Sequence, residues 1–439
     1  MRNHLHGSLW RWLAPALLFG AAPVAAAPAN AELRAALTEQ ADGELRSYYT
    51  YAEQPLWITR DGRLDPAAAT LLQLVRTADY DGIEPRSLEV ERLAAAIAAA
   101  RSGAQGDLVR AELALSGTLA AYVAAMREDG DPAMIYEHEV LRPVVPGVRT
   151  TLEQAAAATS LGEYLTRMRW MHPLYAPLRQ ATLEGAQGAA EKRALVANLQ
   201  RIRAIPAPPW PRHVVIDAAN ARLLMYEGDR VVDSMRVVVG KPDTQTPMMS
   251  GYIRYAVLNP YWNVPTDLVG GRIAAGVLAE GAGYLRARGY EVLSGWESDA
   301  QPIDPRRVDW RQVQRGTLEL RVRQRPGGAN AMGKVKYEFP NPLGIYLHDT
   351  PDKDLLREDA RQFSNGCVRL EDAERLGRWL LGGALPAASG AEQITPLAQP
   401  VPIYITYLTA QPAGGRIALG PDPYGRDGGG AAALALGAK

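Results

Sequence analysis

The 439-residue chain carries 48 basic and 48 acidic side chains, so its formal net charge is zero. This balance provides no net field to attract nucleic acid or an anionic membrane surface, and neither partner is predicted. The length and a hydrophobic content of 47% allow two or three packed domains. Because the chain has a single cysteine, Cys367, an internal disulfide is excluded.

Residues 1–31 have the pattern of a secretory signal peptide. Arg2 and Arg11 supply positive charge, residues 13–22 are mostly apolar, and residues 25–31 offer several small-residue cleavage sites. The apolar run is too short and too rich in alanine to favour a transmembrane helix. We therefore predict an exported protein with no stable membrane insertion after signal cleavage.

The next region, residues 32–205, is predicted to be all-α. Its alanine- and leucine-rich segments repeat apolar residues at intervals of three and four positions, which is the period of an amphipathic helix. Predicted helices cover residues 67–78, 88–100, 108–126, 151–168 and 189–203. The region shows no metal-ligand spacing, phosphate loop or catalytic pair, which favours a helical scaffold.

A proline-rich stretch at 205–211 is predicted to be a linker, and beyond it short β-branched segments define a mainly-β domain, residues 206–408. Strands are predicted at 213–217, 222–226, 230–239, 252–258, 317–324, 343–348 and 401–408, and a helix at 371–381. A mixed, partly helical insert, residues 266–325, interrupts the strands. The glycine- and alanine-rich end, residues 409–439, is predicted to be disordered. The predicted fold class is therefore α+β, with several domains.

The single cysteine lies nineteen positions after His348, in the run Ser364-Asn365-Gly366-Cys367-Val368-Arg369. Gly366 can adopt backbone angles that other residues resist, so it can present Cys367 on a sharp turn. The amides of this turn could then point at a developing oxyanion, and His348 could take the thiol proton or pair with a thiolate. A free cysteine is more often a small buried hydrophobic residue. A thiol kept in an oxidising compartment risks oxidation, however, and this favours a chemical role.

The neighbouring residues have both chemical and structural interpretations. Arg369 would share a strand face with Cys367 and bind a carboxylate, or else form a structural ion pair. Ser364 and Asn365 lie beside the predicted oxyanion amides and are equally typical of turns. Asp349 would point away from His348 along a strand, so a backbone carbonyl is an equally good partner for the imidazole.

A metal centre and a cofactor are not predicted. Zinc needs three or four ligands. The predicted mature chain offers one cysteine and four histidines, none closely spaced: His138, His172, His213 and His348.

The segment from His348 to Arg369 resembles the signature of the YkuD-type L,D-transpeptidases, in which a histidine precedes a Ser-x-Gly-Cys-x-Arg block. More closely, the chain resembles the large periplasmic members of this family from Gram-negative bacteria. Further blocks carry the resemblance across roughly residues 206–408: Gly240-Lys241-Pro242, Thr246-Pro247-Met248-Met249, Asn259-Pro260-Tyr261-Trp262-Asn263-Val264-Pro265, Val308-Asp309-Trp310 and His348-Asp349-Thr350-Pro351.

The resemblance implies a periplasmic enzyme with a YkuD-type catalytic domain, in which the insert forms a capping subdomain over the substrate pocket. Cys367 would be the nucleophile and His348 its base, while Gly366 and Cys367 would supply oxyanion amides. Tyr346 and Trp262 match aromatic positions that line the pocket in this family.

The chain departs from the family pattern in two places. Asn365 stands where many members carry histidine. The segment 183–203 is too short for the small peptidoglycan-binding module that relatives often carry after the helical scaffold. How the cell wall would be engaged is therefore not predicted.

The implied reaction is 3→3 crosslinking of peptidoglycan. A donor stem peptide would acylate Cys367, and the amine of an acceptor stem would resolve the thioester. The resemblance also implies acylation by carbapenems, and a glycan synthase or a carboxypeptidase stays open as a partner. Four alternatives to 3→3 crosslinking stay open: hydrolysis as an L,D-carboxypeptidase, 1→3 crosslinking, attachment of a lysine-bearing protein to the wall, and a non-catalytic wall-binding scaffold.

Overall fold

The computed structural model describes residues 28–128, 131, 133–185, 188–207, 210–413 and 416–427. The predicted signal peptide lies outside these residues, apart from residues 28–31, which begin the first helix. The described chain has a helical region followed by a β-rich region, in agreement with the predicted α+β layout.

The helical region ends at Arg203 and consists of α1 (Pro28–Gln40), α2 (Gly43–Tyr51), α3 (Ala67–Arg76), α4 (Val90–Ala99), α5 (Gln105–Arg127), α6 (Val148–Ala156), α7 (Leu161–Thr166), α8 (Tyr175–Gly185) and α9 (Ala189–Arg203). Helix α5 is long and apolar enough to cross a membrane by length and composition alone. Its side chains Val109, Leu115 and Leu119 are fully buried against the other helices. Helix α5 is therefore the core helix around which this region packs.

The prediction of one helix over residues 151–168 is wrong. The chain breaks at Ser160, whose hydroxyl oxygen accepts a hydrogen bond from the Glu163 amide at 3.2 Å and so caps α7. A serine that satisfies a free amide in this way favours a helix start over a helix interior.

The β-rich region contains β1 (Ile135–Tyr136), β2 (Arg212–Asp217), β3 (Arg222–Glu227), β4 (Arg230–Gly240), β5 (Met249–Leu258), β9 (Val335–Glu338), β10 (Leu347–His348), β11 (Gln362–Ser364), β12 (Val368–Leu370) and β13 (Gln393–Thr406), and helix α14 (Ala373–Leu381). The strand order is β1-β5-β13-β2-β3-β4-β12-β10-β9, with β11 beside β4. Strand β9 also pairs with β5, so the sheet closes on itself. Closure leaves an interior that side chains fill, among them Val214, Ile216 and Leu223, and α14 packs Leu376 against the same core.

Strand β1 comes from within the helical region and was not predicted. Ile135 pairs in parallel with Met249 of β5, and the Tyr136 hydroxyl donates to the Ala204 carbonyl at 2.7 Å. The predicted linker also begins as packed structure, because Ile205 is fully buried. The helical region and the sheet therefore share an interface.

The insert is a separate small unit, defined here as residues 262–324, a few residues longer at its start than predicted. Its strands β6 (Trp262–Val264), β8 (Val322–Gln324) and β7 (Tyr290–Val292) form a sheet in that order. Its helices are α10 (Thr266–Leu268), α11 (Ala274–Glu280), α12 (Gly283–Ala287) and α13 (Trp310–Gln314), and a π-helical turn, Val269–Ile273, lies between α10 and α11. The insert has its own core, which includes Ile273, Val292 and Val322.

The prediction that residues 409–439 are disordered is wrong for the described residues up to 427. Strands β14 (Ala410–Ala413) and β15 (Arg416–Leu419) form a hairpin, and Ile417 packs against the helical core. Composition gave no signal for this order, because it depends on contacts with distant segments. Residues 428–439 lie outside the described residues.

Candidate active site

Two adjacent parallel strands bring the predicted reactive residues together. Strand β10 pairs with β12 so that Leu347 faces Val368 and His348 faces Arg369. Successive side chains on a strand point to opposite faces. Leu347 and Val368 are fully buried in the barrel core, which leaves His348 and Arg369 on the opposite face.

That opposite face forms the floor of a cavity of about 730 Å³. The floor is lined by Tyr346, His348, Cys367 and Arg369, and one wall comes from the insert, including Trp262 and Tyr290. The rings of Trp262 and Tyr290 lie 6.4 Å apart, and the Tyr346 and His348 rings meet edge to face at 5.9 Å. Ser364 and Asn365 also line the cavity.

Ser364 closes the turn that presents the cysteine. Its hydroxyl donates to the Cys367 carbonyl at 2.6 Å and accepts from the Gly366 amide at 3.1 Å. Gly366 has a φ of +112°, a value that side chains disfavour, and an added Cβ would lie 3.2 Å from Ile345 Cδ1. Glycine is therefore required here for the shape of the turn.

In this arrangement the Gly366 N–H donates to the Ser364 hydroxyl, and its expected role as an oxyanion donor stays a prediction. The Cys367 N–H donates to no acceptor within the described chain. It stays the candidate oxyanion donor, and the Asn365 side chain lies at the cavity surface beside it.

A second loop, residues 240–246, forms hydrogen bonds with the backbone of the cysteine turn. Thr246 Oγ1 donates to the Gly366 carbonyl at 2.8 Å and accepts from the Gly240 amide at 2.9 Å. The Lys241 amide donates to the Ser364 carbonyl at 3.0 Å. A Cβ on Gly240 would collide with the Thr244 backbone. The sequence contained these residues as a family block, but nothing in it assigned them this supporting role.

The C-terminal segment supports this loop in turn. The Tyr424 hydroxyl donates to the Gly240 carbonyl at 2.6 Å and accepts from the Thr246 amide at 3.4 Å. Tyr424 is 5% exposed, and its ring stacks on Tyr407 at 5.1 Å. Arg201 of helix α9 donates to the Asp427 carboxylate at 2.7 Å. A chain of contacts thus connects the helical region to the cysteine turn, and sequence analysis missed it.

His348 is oriented by a backbone carbonyl. Its Nδ1 lies 2.5 Å from the Asp349 carbonyl oxygen, which can only accept, so Nδ1 carries the proton and Nε2 keeps its lone pair. The Asp349 carboxylate points elsewhere and accepts from Lys353 Nζ at 2.7 Å. The expectation that the Asp349 carboxylate points away from His348 and that a backbone carbonyl orients the imidazole is confirmed.

The thiol and the imidazole are both held in their neutral forms. Burial, with the nearby charge of Arg369, lowers the pKa of His348 to about 4. Burial raises the pKa of Cys367 from 9.0 to about 11, although contacts with Tyr346 and the Arg369 charge partly oppose this rise. The thiol donates to the Gly344 carbonyl at 3.6 Å. This state favours His348 as a general base over a resting thiolate–imidazolium pair.

No group of three or more His, Cys, Asp or Glu side chains in the described ranges is placed to hold a metal ion.

Sequence comparison finds a similar protein family for each of the two regions. Residues 211–403 match the YkuD L,D-transpeptidase catalytic domain, and residues 43–181 match a scaffold domain. Residues 211–403 are therefore similar in sequence to an L,D-transpeptidase catalytic domain. It is also 31% identical over 242 residues to a Haemophilus influenzae protein named "Putative L,D-transpeptidase", across 53% of this chain and 48% of the relative. The chain thus spans about half the length of the curated relative that it matches.

The neutral forms of Cys367 and His348 predict how the reactivity of the thiol depends on pH. Because thiolate is the reactive form and the Cys367 pKa is raised to about 11, alkylation by iodoacetamide should increase steadily from neutral to alkaline pH. The control is His348→Ala, which should leave the profile similar, since a neutral imidazole does not stabilise a thiolate. Rates measured from about pH 5 to pH 11 would contradict this account if they showed a plateau near neutral pH that His348→Ala removes.

The hydrogen bond from Tyr424 to the Gly240 carbonyl predicts an effect on stability and on thiol reactivity. Tyr424→Phe leaves the buried Gly240 carbonyl without its donor, which should lower the free energy of unfolding by about 1–3 kcal/mol in urea titration. It should also loosen the cysteine turn, expose the thiol and increase alkylation of Cys367 at pH 8 several-fold.

The matched control is Tyr404→Phe, because Tyr404 is another buried tyrosine that donates to a backbone carbonyl, that of Leu141, away from the turn. It should destabilise the protein without changing thiol reactivity. Equal alkylation rates in the two variants would show that Tyr424 does not position the turn.

Proposed function

We propose that this protein is a peptidoglycan L,D-transpeptidase that forms 3→3 crosslinks through a thioester on Cys367. The observation that carries the proposal is the common cavity floor of Cys367, His348, Tyr346 and Arg369 within a region that matches the L,D-transpeptidase catalytic domain. The proposal includes export of the protein to the periplasm, because peptidoglycan lies there in Gram-negative cells.

The first half-reaction is acylation. His348 Nε2 takes the thiol proton while Cys367 Sγ attacks the carbonyl at the L-centre of the third residue of the donor stem, a diaminopimelate in the usual Gram-negative wall. The Cys367 N–H donates to the oxyanion that develops. Collapse of this intermediate breaks the peptide bond, and the imidazolium returns the proton to the departing D-alanine amine.

The second half-reaction transfers the acyl group. The side-chain amine of an acceptor stem attacks the thioester carbonyl, His348 accepts a proton from this amine, and Cys367 leaves as the thiol. Trp262 and Tyr290 of the insert line the cavity. We infer that this wall limits the access of water to the thioester and so favours aminolysis over hydrolysis. The same thiol would be acylated by carbapenems.

The proposal predicts a defined product from purified disaccharide tetrapeptides. The wild-type protein should convert them into 3→3 dimers and free D-alanine, detected by liquid chromatography and mass spectrometry. Cys367→Ala should form none, and His348→Ala should lower kcat by about 10²–10⁴.

His138→Ala is the matched control and should keep full activity, since the His138 ring lies 5.3 Å from the Tyr252 ring and does not line the cavity. Dimers made by Cys367→Ala would contradict the proposal. Tripeptide without any dimer, even at high acceptor concentration, would identify an L,D-carboxypeptidase instead.

A further inference from the structure

The cavity contains charged groups that the reaction steps above do not use. Its lining includes three arginines and two aspartates: Asp267, Arg272, Arg288, Asp352 and Arg369. One of these arginines is already engaged, because Arg288 Nη1 lies 3.3 Å from Glu280 Oε2 and its guanidinium covers the Tyr284 ring at 4.0 Å. Arg369 and Arg272 lie in different surroundings.

Arg369 on the cavity floor is incompletely satisfied. Its Nε is buried without a hydrogen-bond partner in the described structure. Its ion pair with Asp352 is long, at 3.7 Å, and the Asp352 side chain is 67% exposed. A guanidinium offers five donors in a planar fork. Arg369 therefore keeps donors free for a further acceptor beside Cys367.

Arg272 lies on the insert wall, and its side chain is exposed at the cavity. It lies in the π-helical turn Val269–Ile273, after Gly270 and Gly271. A π-turn within a helix often marks a functional site. Burial lowers the pKa of Arg369, and the positive charge of Arg272 contributes to this shift. The two guanidiniums are therefore near enough to interact electrostatically.

We propose that Arg272 and Arg369 together bind a carboxylate of the donor peptide beside Cys367. Two guanidiniums that face one cavity repel each other, and an anion between them removes this repulsion. Carboxylates match the guanidinium fork and accept paired hydrogen bonds. This inference rests on the proposed function, and it assigns donor recognition to a residue of the insert as well as to the barrel.

Two carboxylates of the donor are near enough to be the ligand. One is the terminal carboxylate of the leaving D-alanine, and the other is the side-chain carboxylate of the third residue. Both lie within one residue of the carbonyl that Cys367 attacks. The shared chemistry is a carboxylate, and amidation of one group at a time distinguishes them.

The first test measures KM and kcat for the full-length protein with three donors: unmodified tetrapeptide, terminal amide and side-chain amide. Arg272→Ala should raise KM for the unmodified donor about tenfold or more, with kcat changed little, and Arg272→Lys should recover part of the loss. The donor that lacks the recognised carboxylate should show no further loss in Arg272→Ala, whereas the other amide should. The matched control is Arg286→Ala, an exposed arginine of the same insert that does not line the cavity, and it should match the wild type.

The second test needs no peptide substrate. Iodoacetate carries a carboxylate and iodoacetamide does not, so the ratio of their alkylation rates at Cys367 reports anion binding beside the thiol. Arg272→Ala should lower this ratio several-fold, and Arg286→Ala should leave it unchanged.

The outcomes separate the two proposals. A ratio that is the same in wild type and Arg272→Ala overturns the carboxylate site, even if the protein crosslinks peptides. A lowered ratio in a protein that makes no crosslinks supports the anion site and contradicts the proposed function. Equal proportional losses in Arg272→Ala with all three donors overturn the assignment to a donor carboxylate.

Discussion

The parallel pairing of β10 with β12 is the constraint on which the site depends. It sets His348 beside Arg369 and turns both towards the cavity, together with Tyr346 and Cys367. A slip of one residue would exchange the two faces of a strand and send the imidazole into the core. The register is kept by Leu347 and Val368, which are fully buried on the opposite face. The apolar residues between the reactive ones therefore matter as much as the reactive residues themselves.

The support of the cysteine turn begins within the matched catalytic domain and extends to parts of the chain outside it. Thr246 holds the Gly366 carbonyl, Tyr424 holds the loop of Thr246, and Arg201 of the helical region holds the segment that carries Tyr424. Strand β1 adds a further connection between the helical region and the sheet. The scaffold is thus part of the mechanical support of the turn. A buried turn of this kind also explains why the thiol rests in its neutral form, because burial disfavours the thiolate.

Sequence reasoning was most successful where local pattern decides structure. Helix α9 has the predicted bounds, Ala189–Arg203, since its periodicity and its flanking residues agree. His348 and Cys367 line one cavity, as expected from the motif. The failures have a common physical cause, which is tertiary context. Strand β1 is only two residues long. The order of residues 410–413 and 416–427 comes from contacts with distant segments, among them Arg201 and Gly240, which composition does not encode. The engagement of the Gly366 amide by Ser364 likewise depends on the geometry of the turn.

The central claim is that Cys367 itself carries the acyl group, with the neutral His348 as its base. The most direct measurement is rapid-quench intact-mass spectrometry of the wild-type protein mixed with a tetrapeptide donor in the absence of acceptor, followed by peptide mapping. We expect a mass increase equal to the donor minus D-alanine, located on the peptide that contains Cys367, and its disappearance when an acceptor amine is added. Release of D-alanine with no adduct on Cys367 at any quench time, or an adduct on another residue, would contradict the account.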